Sequence, residues 1–180
     1  DFDEIRIGVT AARFDYYAGS STVELVWAPV FVPNRQPGPD PLWAPSLPFP
    51  VQEVTFQPTV EPEGGLENSE LFVKYSYLGS KLDFELMGGY FWDDEPAPHI
   101  TDPDPNNLTV EPRHHRLAAA GGGFSAALPG MVLRGEGAYY FGKHFATADP
   151  SVSDGVVKKD YLTYAAGVDA SPFGLTASAQ

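Results

Sequence analysis

The chain has 180 residues, 43% of them hydrophobic and 13% aromatic, enough for one domain with a substantial core and too few for two. A formal charge of -13 excludes nucleic acid as a partner, because backbone phosphates are held by a basic surface and this one repels them. The absence of cysteine excludes disulfides, thiolate metal sites and a cysteine nucleophile, and no apolar run approaches the roughly 20 residues of a membrane-spanning helix, although a barrel strand needs only about 9–11.

In chain order, the first predicted hairpin is "EIRIGVTAARFDYY", a short "AGSS" turn and "TVELVWAPVF". Its period is two: Ile5, Ile7, Val9 and Ala11 fall on one face and Arg6, Gly8 and Thr10 on the other. The segment 32–65 is rich in proline, which removes ladder donors, and is expected to be a long loop. A second hairpin, Glu67 to Asp93, turns at "GSK" and contains "LFVKYSYLGSKLDFELMGGYFWDD". The next segment, "DEPAPHITDPDPNNLTVEPR", is read as another long loop. "HHRLAAAGGGFSAAL" and "MVLRGEGAYYF" make a third hairpin around Pro129 and Gly130, since three consecutive glycines would cost about 1 kcal/mol each in a helix. A third loop, "GKHFATADPSVSDGVVKK", leads to the strand "DYLTYAAGVDA" and, through "SPFG", to "LTASAQ".

The rhythm is strand, short turn, strand, long loop, repeated, with the short turns at one end and the long loops at the other. Transmembrane β-barrels segregate their connections in this way. The expected fold is therefore all-β: an antiparallel up-and-down transmembrane β-barrel of about eight strands, the last one truncated. Residues 1–180 would form a single barrel domain or an internal section of a larger barrel, because the chain ends in "LTASAQ" where a complete barrel usually ends on an aromatic residue.

The strands divide into two faces. Leu71, Val73, Phe84, Leu86, Leu133, Leu162 and Val168 are expected to face lipid; Arg6, Glu24, Lys74, Asp83, Glu85, Arg134 and Glu136 are expected to line a lumen. Trp27, Tyr77, Tyr90, Trp92 and Tyr139 sit near strand ends, where aromatic rings tolerate the headgroup zone. An ordinary soluble sheet would show the same alternation, with its apolar face on a core. Loop length, aromatic placement and mixed-sign polar faces favour the barrel.

On the stretches "ELVWAPVFVPNRQPGP", "LFVKYSYLGSKLDFELMGGYFWDD" and "HHRLAAAGGGFSAALPGMVLRGEGAYYF", the chain resembles bacterial outer-membrane β-barrel proteins of the large porin-like type. The resemblance covers most of the chain as architecture. It implies the outer membrane of a Gram-negative cell, with lipid as the surrounding partner, and carries no catalytic motif.

Four places carry residue types that could support chemistry. His114 and His115 are adjacent in a strand, point to opposite faces and cannot chelate one ion together, so a structural or surface role is expected for them and for His99 and His144. The acidic loop with Asp93, Asp94, Glu95, Asp102 and Asp104 lacks the spacing of a calcium hand and reads as a solvated loop. Asp83 and Glu85 share a face but have no nucleophile beside them; they read as lumen charges balanced by Lys74 and Arg134. "AAAGGGFSAALPG" lacks the lysine of a phosphate loop. The expectation is a protein that is not an enzyme, holds no cofactor or catalytic residue, and forms a passive pore or transport channel for small-molecule solutes. Two rival readings are a barrel sheath around an electron-transfer or other partner protein or oligomer, and a soluble glycan-binding β-sandwich.

Overall fold

The computed structural model describes residues 8–33, 54–104, 107–170 and 177–179. Ile5, Arg6 and Ile7 lie outside the described residues, as does 34–53 of the first proline-rich segment. The strands are β1 (Ala12–Ala18), β2 (Ser21–Ala28), β3 (Val54–Phe56), β4 (Glu70–Leu78), β5 (Leu82–Trp92), β6 (Ala97–Asp102), β7 (Leu108–Arg113), β8 (Arg116–Leu128), β9 (Met131–Ala146), β10 (Val156–Ala170) and β11 (Ala177–Ala179). Eight of them form an antiparallel sheet in the order β1-β2-β4-β5-β8-β9-β10-β11, and three form a small second sheet, β3-β7-β6. The large sheet is an up-and-down meander, as expected. It is open: among the described residues no pairing joins β1 to β11.

The register keeps one parity across the meander up to a shift between Lys159 and Tyr161, where β9 bulges. Leu25 pairs with Val73, Val73 with Gly88, Gly88 with Ala120, Ala120 with Tyr139 and Tyr139 with Leu162. Because side chains alternate with a period of two, this single row places the apolar residues of six strands on the same face. The short turns at 19–20, 79–81 and 129–130 lie at one end, and the connections at 29–69, 93–115 and 147–155 lie at the other.

Two expected loops differ from what the chain forms. The segment "DEPAPHITDPDPNNLTVEPR" contains the β6–β7 hairpin, and Val54–Phe56 adds to β7 in parallel. The prolines of this hairpin, Pro98 and Pro112, sit opposite each other, and Pro112 still accepts a backbone hydrogen bond from Val60 N at 2.8 Å. Proline removes a donor and leaves the acceptor, so a proline-rich strand survives at such positions. The third expected loop is also shorter, since β9 runs to Ala146 and β10 begins at Val156. At the N-terminal side, 8–11 is not in a strand, so the first strand begins later than its alternation predicts.

Among the described residues, the buried apolar side chains are Ala28, Ala97, Leu108, Val110, Leu117 and Val156, all at the long-connection end. The core therefore lies between the small sheet and the nearby ends of the large one. The middle of the large sheet is instead built of small residues, with Gly121 and Gly122 of the run Ala118–Gly123 against Ala138 and Gly137. Phe124 lays its ring over its cross-strand partner Gly135, where an added Cβ would stand 2.6 Å from the ring edge. Gly135→Leu is expected to displace this ring and cost about 1–3 kcal/mol, read as a lower urea midpoint. The double variant with Phe124→Ala should recover part of the loss.

Candidate functional site

The two faces of the large sheet differ in chemistry and in shape. Between the rim residues Arg116 and Asp160 and the short turns, the face carrying Leu71, Val73, Phe84, Leu86, Leu133, Leu162 and Val168 has no charged side chain among the described residues. Much of it is exposed: Leu86 and Leu162 are each 57% accessible and Tyr164 80%. The sheet puts all seven residues expected to face lipid on this one side.

Along this face the aromatic rings form two bands. Trp27, Tyr90, Tyr139 and Phe141 lie towards the long connections, and Tyr16, Tyr77, Phe84 and Phe124 towards the short turns. Trp92 lies further out and serves the connection itself. Its indole N–H donates to Asn68 O at 3.1 Å, and the Arg116 guanidinium stands 4.5 Å over its ring. Arg116 donates to Ser69 O and Glu67 O, so a cation–π contact and two hydrogen bonds hold the rim to the strand before it.

The opposite face collects Glu24, Lys74, Asp83, Glu85, Arg134 and Glu136, as expected; Arg6 lies outside the described residues. Arg13 bridges Asp15 at 2.9 Å and Glu24 at 2.5 Å, Arg134 pairs with Asp169 at 3.0 Å, and Asp83 accepts Gly79 N at 3.0 Å. Leaving out Glu70 at the rim, among the described residues six carboxylates (Asp15, Glu24, Asp83, Glu85, Glu136, Asp169) share this face with three cations (Arg13, Lys74, Arg134). An open hollow of about 840 Å³ on this side is lined from β4, β5, β8, β9 and β10, including Glu85, Arg134 and Glu136. A hollow shared by five strands means that the sheet curls towards its charged face.

A second hollow of about 300 Å³ on the same side holds residues that the polar pattern hides. Phe72 and Phe91 stack with centroids 5.4 Å apart, and Met87 and Tyr140 share the hollow with them. The parity of Lys74 and Glu85 would have found them; attention to charges alone passed them over.

At the long-connection end a collar of polar groups ties the small sheet to β9 and β10. Gly142, at φ 66, makes a bulge where Asp160 Oδ1 accepts its N–H at 2.9 Å. Beyond the bulge, Lys143 Nζ reaches Asp93 at 2.8 Å and Glu95 at 3.7 Å. Asp93 is thus bound into the collar, so the loop containing it is only partly solvated. Burial and the neighbouring Asp93 hold the Asp94 carboxyl above its ordinary range.

The histidines separate as the sequence requires and then regroup. His114 is buried and its Nδ1–H donates to the Asp93 carbonyl at 2.7 Å. His115 turns the other way, its Nε2 2.8 Å from His99 Nε2, with the His144 ring stacked on it at 3.7 Å between centroids. Asp154 Oδ2 lies 3.2 Å from His99 Nδ1. Burial, followed by the neighbouring His144 and His99, pulls His115 down to about 4. The opposition of His114 and His115 was legible from the sequence; the meeting of His115 with His99 and His144 needed the unforeseen β6–β7 hairpin.

No family model, curated protein or solved structure matches this chain. What the molecule can do therefore rests on its own geometry: a curled antiparallel sheet, exposed and, among the described residues, uncharged on one face, charged and hollowed on the other, with a polar collar at one end.

Proposed function

We propose that this chain is the wall of a bacterial outer-membrane β-barrel, or a section of one, and that it passes or holds small solutes without covalent chemistry. The observation that carries the reading is the uncharged outer face. Water gives no stabilisation to such an area of Leu, Val, Phe and Tyr, and a soluble sheet would bury it, whereas hydrocarbon accepts it without cost.

Two further features support the reading. The 11 residues of β5 extend about 36 Å at about 3.3 Å each, and a tilt of about 40° leaves about 28 Å, close to the apolar height of outer-membrane barrels. The aromatic bands cross this stretch near its two ends, at Phe84 and Tyr90. The edges β1 and β11 present backbone groups that lipid does not satisfy, so in this reading closure comes from further strands or from other chains.

The inner wall, with six carboxylates against three cations, sets a preference for cations. Glu85→Lys with Glu136→Lys changes that balance from three excess negative charges to one excess positive. In a planar bilayer under a salt gradient, the reversal potential is expected to change sign. A conducting protein whose potential is indifferent to both changes overturns wall-set selectivity, and a full chain that stays in the aqueous fraction without detergent overturns the barrel.

A second reading, a sheath around a partner protein, draws on the apolar patch of Phe72, Met87, Phe91 and Tyr140 on the inner wall, for which hydrated solutes have no use. The same recording separates the two, because an occupied sheath carries no current.

A further inference from the structure

Three segments far apart in sequence bring imidazoles together at the collar: β6 carries His99, the link before β8 carries His115, and the end of β9 carries His144. None of the features read so far requires this. A solvated collar has no reason to stack His144 on His115 or to aim one ring nitrogen at another.

We propose that His99 and His115, completed by His144, bind a divalent transition-metal ion that staples the small sheet to the large one. Asp154 sets the tautomer of His99. Its carboxylate beside His99 Nδ1 holds the ring proton on that nitrogen, which leaves the His99 Nε2 lone pair aimed at His115 Nε2, 2.8 Å away. A carboxylate behind the far nitrogen of an imidazole is the arrangement that fixes metal-binding histidines in orientation and tautomer.

In the metal-free molecule, one proton on His115 Nε2 bridges the two rings. A zinc ion at about 2.0–2.1 Å from each nitrogen would need them about 3.3 Å apart in tetrahedral geometry. The two rings must therefore part by about half an ångström, a small movement for side chains on a link and a short hairpin. Among the described residues no three donors stand ready as a metal set. The pair of facing nitrogens is the core of the site, and His144, stacked parallel to His115 within 15°, supplies the third nitrogen by rotating out of the stack.

The donor set is all imidazole, which selects zinc, copper or nickel and rejects calcium and magnesium. The surrounding charges are balanced, with Arg113 and Lys158 opposing a bound cation and Asp93 and Asp154 favouring it. The site does not depend on what covers the outer face of the large sheet.

The test uses the full chain in detergent micelles, titrated with zinc chloride and followed by imidazole C–H signals and by melting temperature, with copper(II) as a spectroscopic probe. Saturable zinc binding in the micromolar range is expected, with shifts of the His99, His115 and His144 signals and a rise in melting temperature. The copper spectrum should carry hyperfine lines from at least two nitrogens, and calcium and magnesium should do nothing. His99→Gln and His115→Gln should each weaken binding at least about tenfold, and His114→Gln should leave it unchanged. Zinc bound only at millimolar concentration, or shifts confined to His114, would overturn the proposal. Both readings come from the unaltered protein, so a variant that fails to fold does not obscure the result.

Discussion

Leu86→Arg is expected to stop the chain from inserting into bilayers, while Met87→Arg, one residue along the same strand, folds as the unaltered protein does. Both side chains are exposed, at 57% and 44%, and in water the two substitutions would be about equally mild. They differ only in face. Leu86 lies in mid-strand among Tyr75, Gly122 and Val73, on the side without charges, whereas Met87 lies opposite Lys74 on the charged side. An arginine at the mid-plane of a membrane barrel costs about 2–4 kcal/mol on the lipid side, and little where water reaches it. The measurement is the folded fraction after refolding into lipid vesicles, read by heat-modifiable mobility. Equal yields for the two variants would remove the membrane from the account, because hydrocarbon against one face and water against the other must separate them.

Lys143→Met is expected to loosen the collar by about 3–5 kcal/mol, the cost of leaving a largely buried carboxylate without its cation. Asp93 and Lys143 have side chains only 12% and 19% exposed, and Lys143 meets both carboxylate oxygens of Asp93, at 3.0 and 2.8 Å. The loss is local, since the large sheet is held by its own ladder. Faster proteolysis within the segment 93–115, with the strands of the meander still protected, is the expected pattern. Adding Asp93→Asn to Lys143→Met should restore most of the resistance, because the charge that lost its partner is then gone. Cleavage spread evenly over the chain would mean that the collar and the sheet unfold together.

Period-two alternation made most of the large sheet legible. Leu71, Val73 and Leu86 against Lys74, Asp83 and Glu85 give the faces directly, and the short turns give the hairpins. Alternation is a local signal. It could not show that β1 and β11 stay unpaired among the described residues, because closure is a contact between the most distant strands. The small sheet was hidden for another reason: β6 and β7 contain Pro98 and Pro112, and donor loss was weighed where the acceptors still worked. The inner aromatic residues Phe72, Phe91 and Tyr140 obeyed the parity and defied the polarity, since a wall can carry rings where a hollow needs filling. The histidine cluster required the fold itself, because 16 residues separate His99 from His115 and a folded hairpin brings them together.

The shared parity of the strands on the short-turn side of the Gly142 bulge limits how such a chain can change in length. From β4 to β5 and from β8 to β9 the partners are joined by turns of two or three residues, so one residue inserted within a strand would rotate everything beyond it onto the wrong side. The connections that follow β2, β5 and β9 are longer than these turns, so an addition there leaves the pairing of the next strand unchanged. Length variation is thus admitted at one end of the molecule and refused at the other, and at that permissive end β9 already carries one extra residue against β10, at the Gly142 bulge.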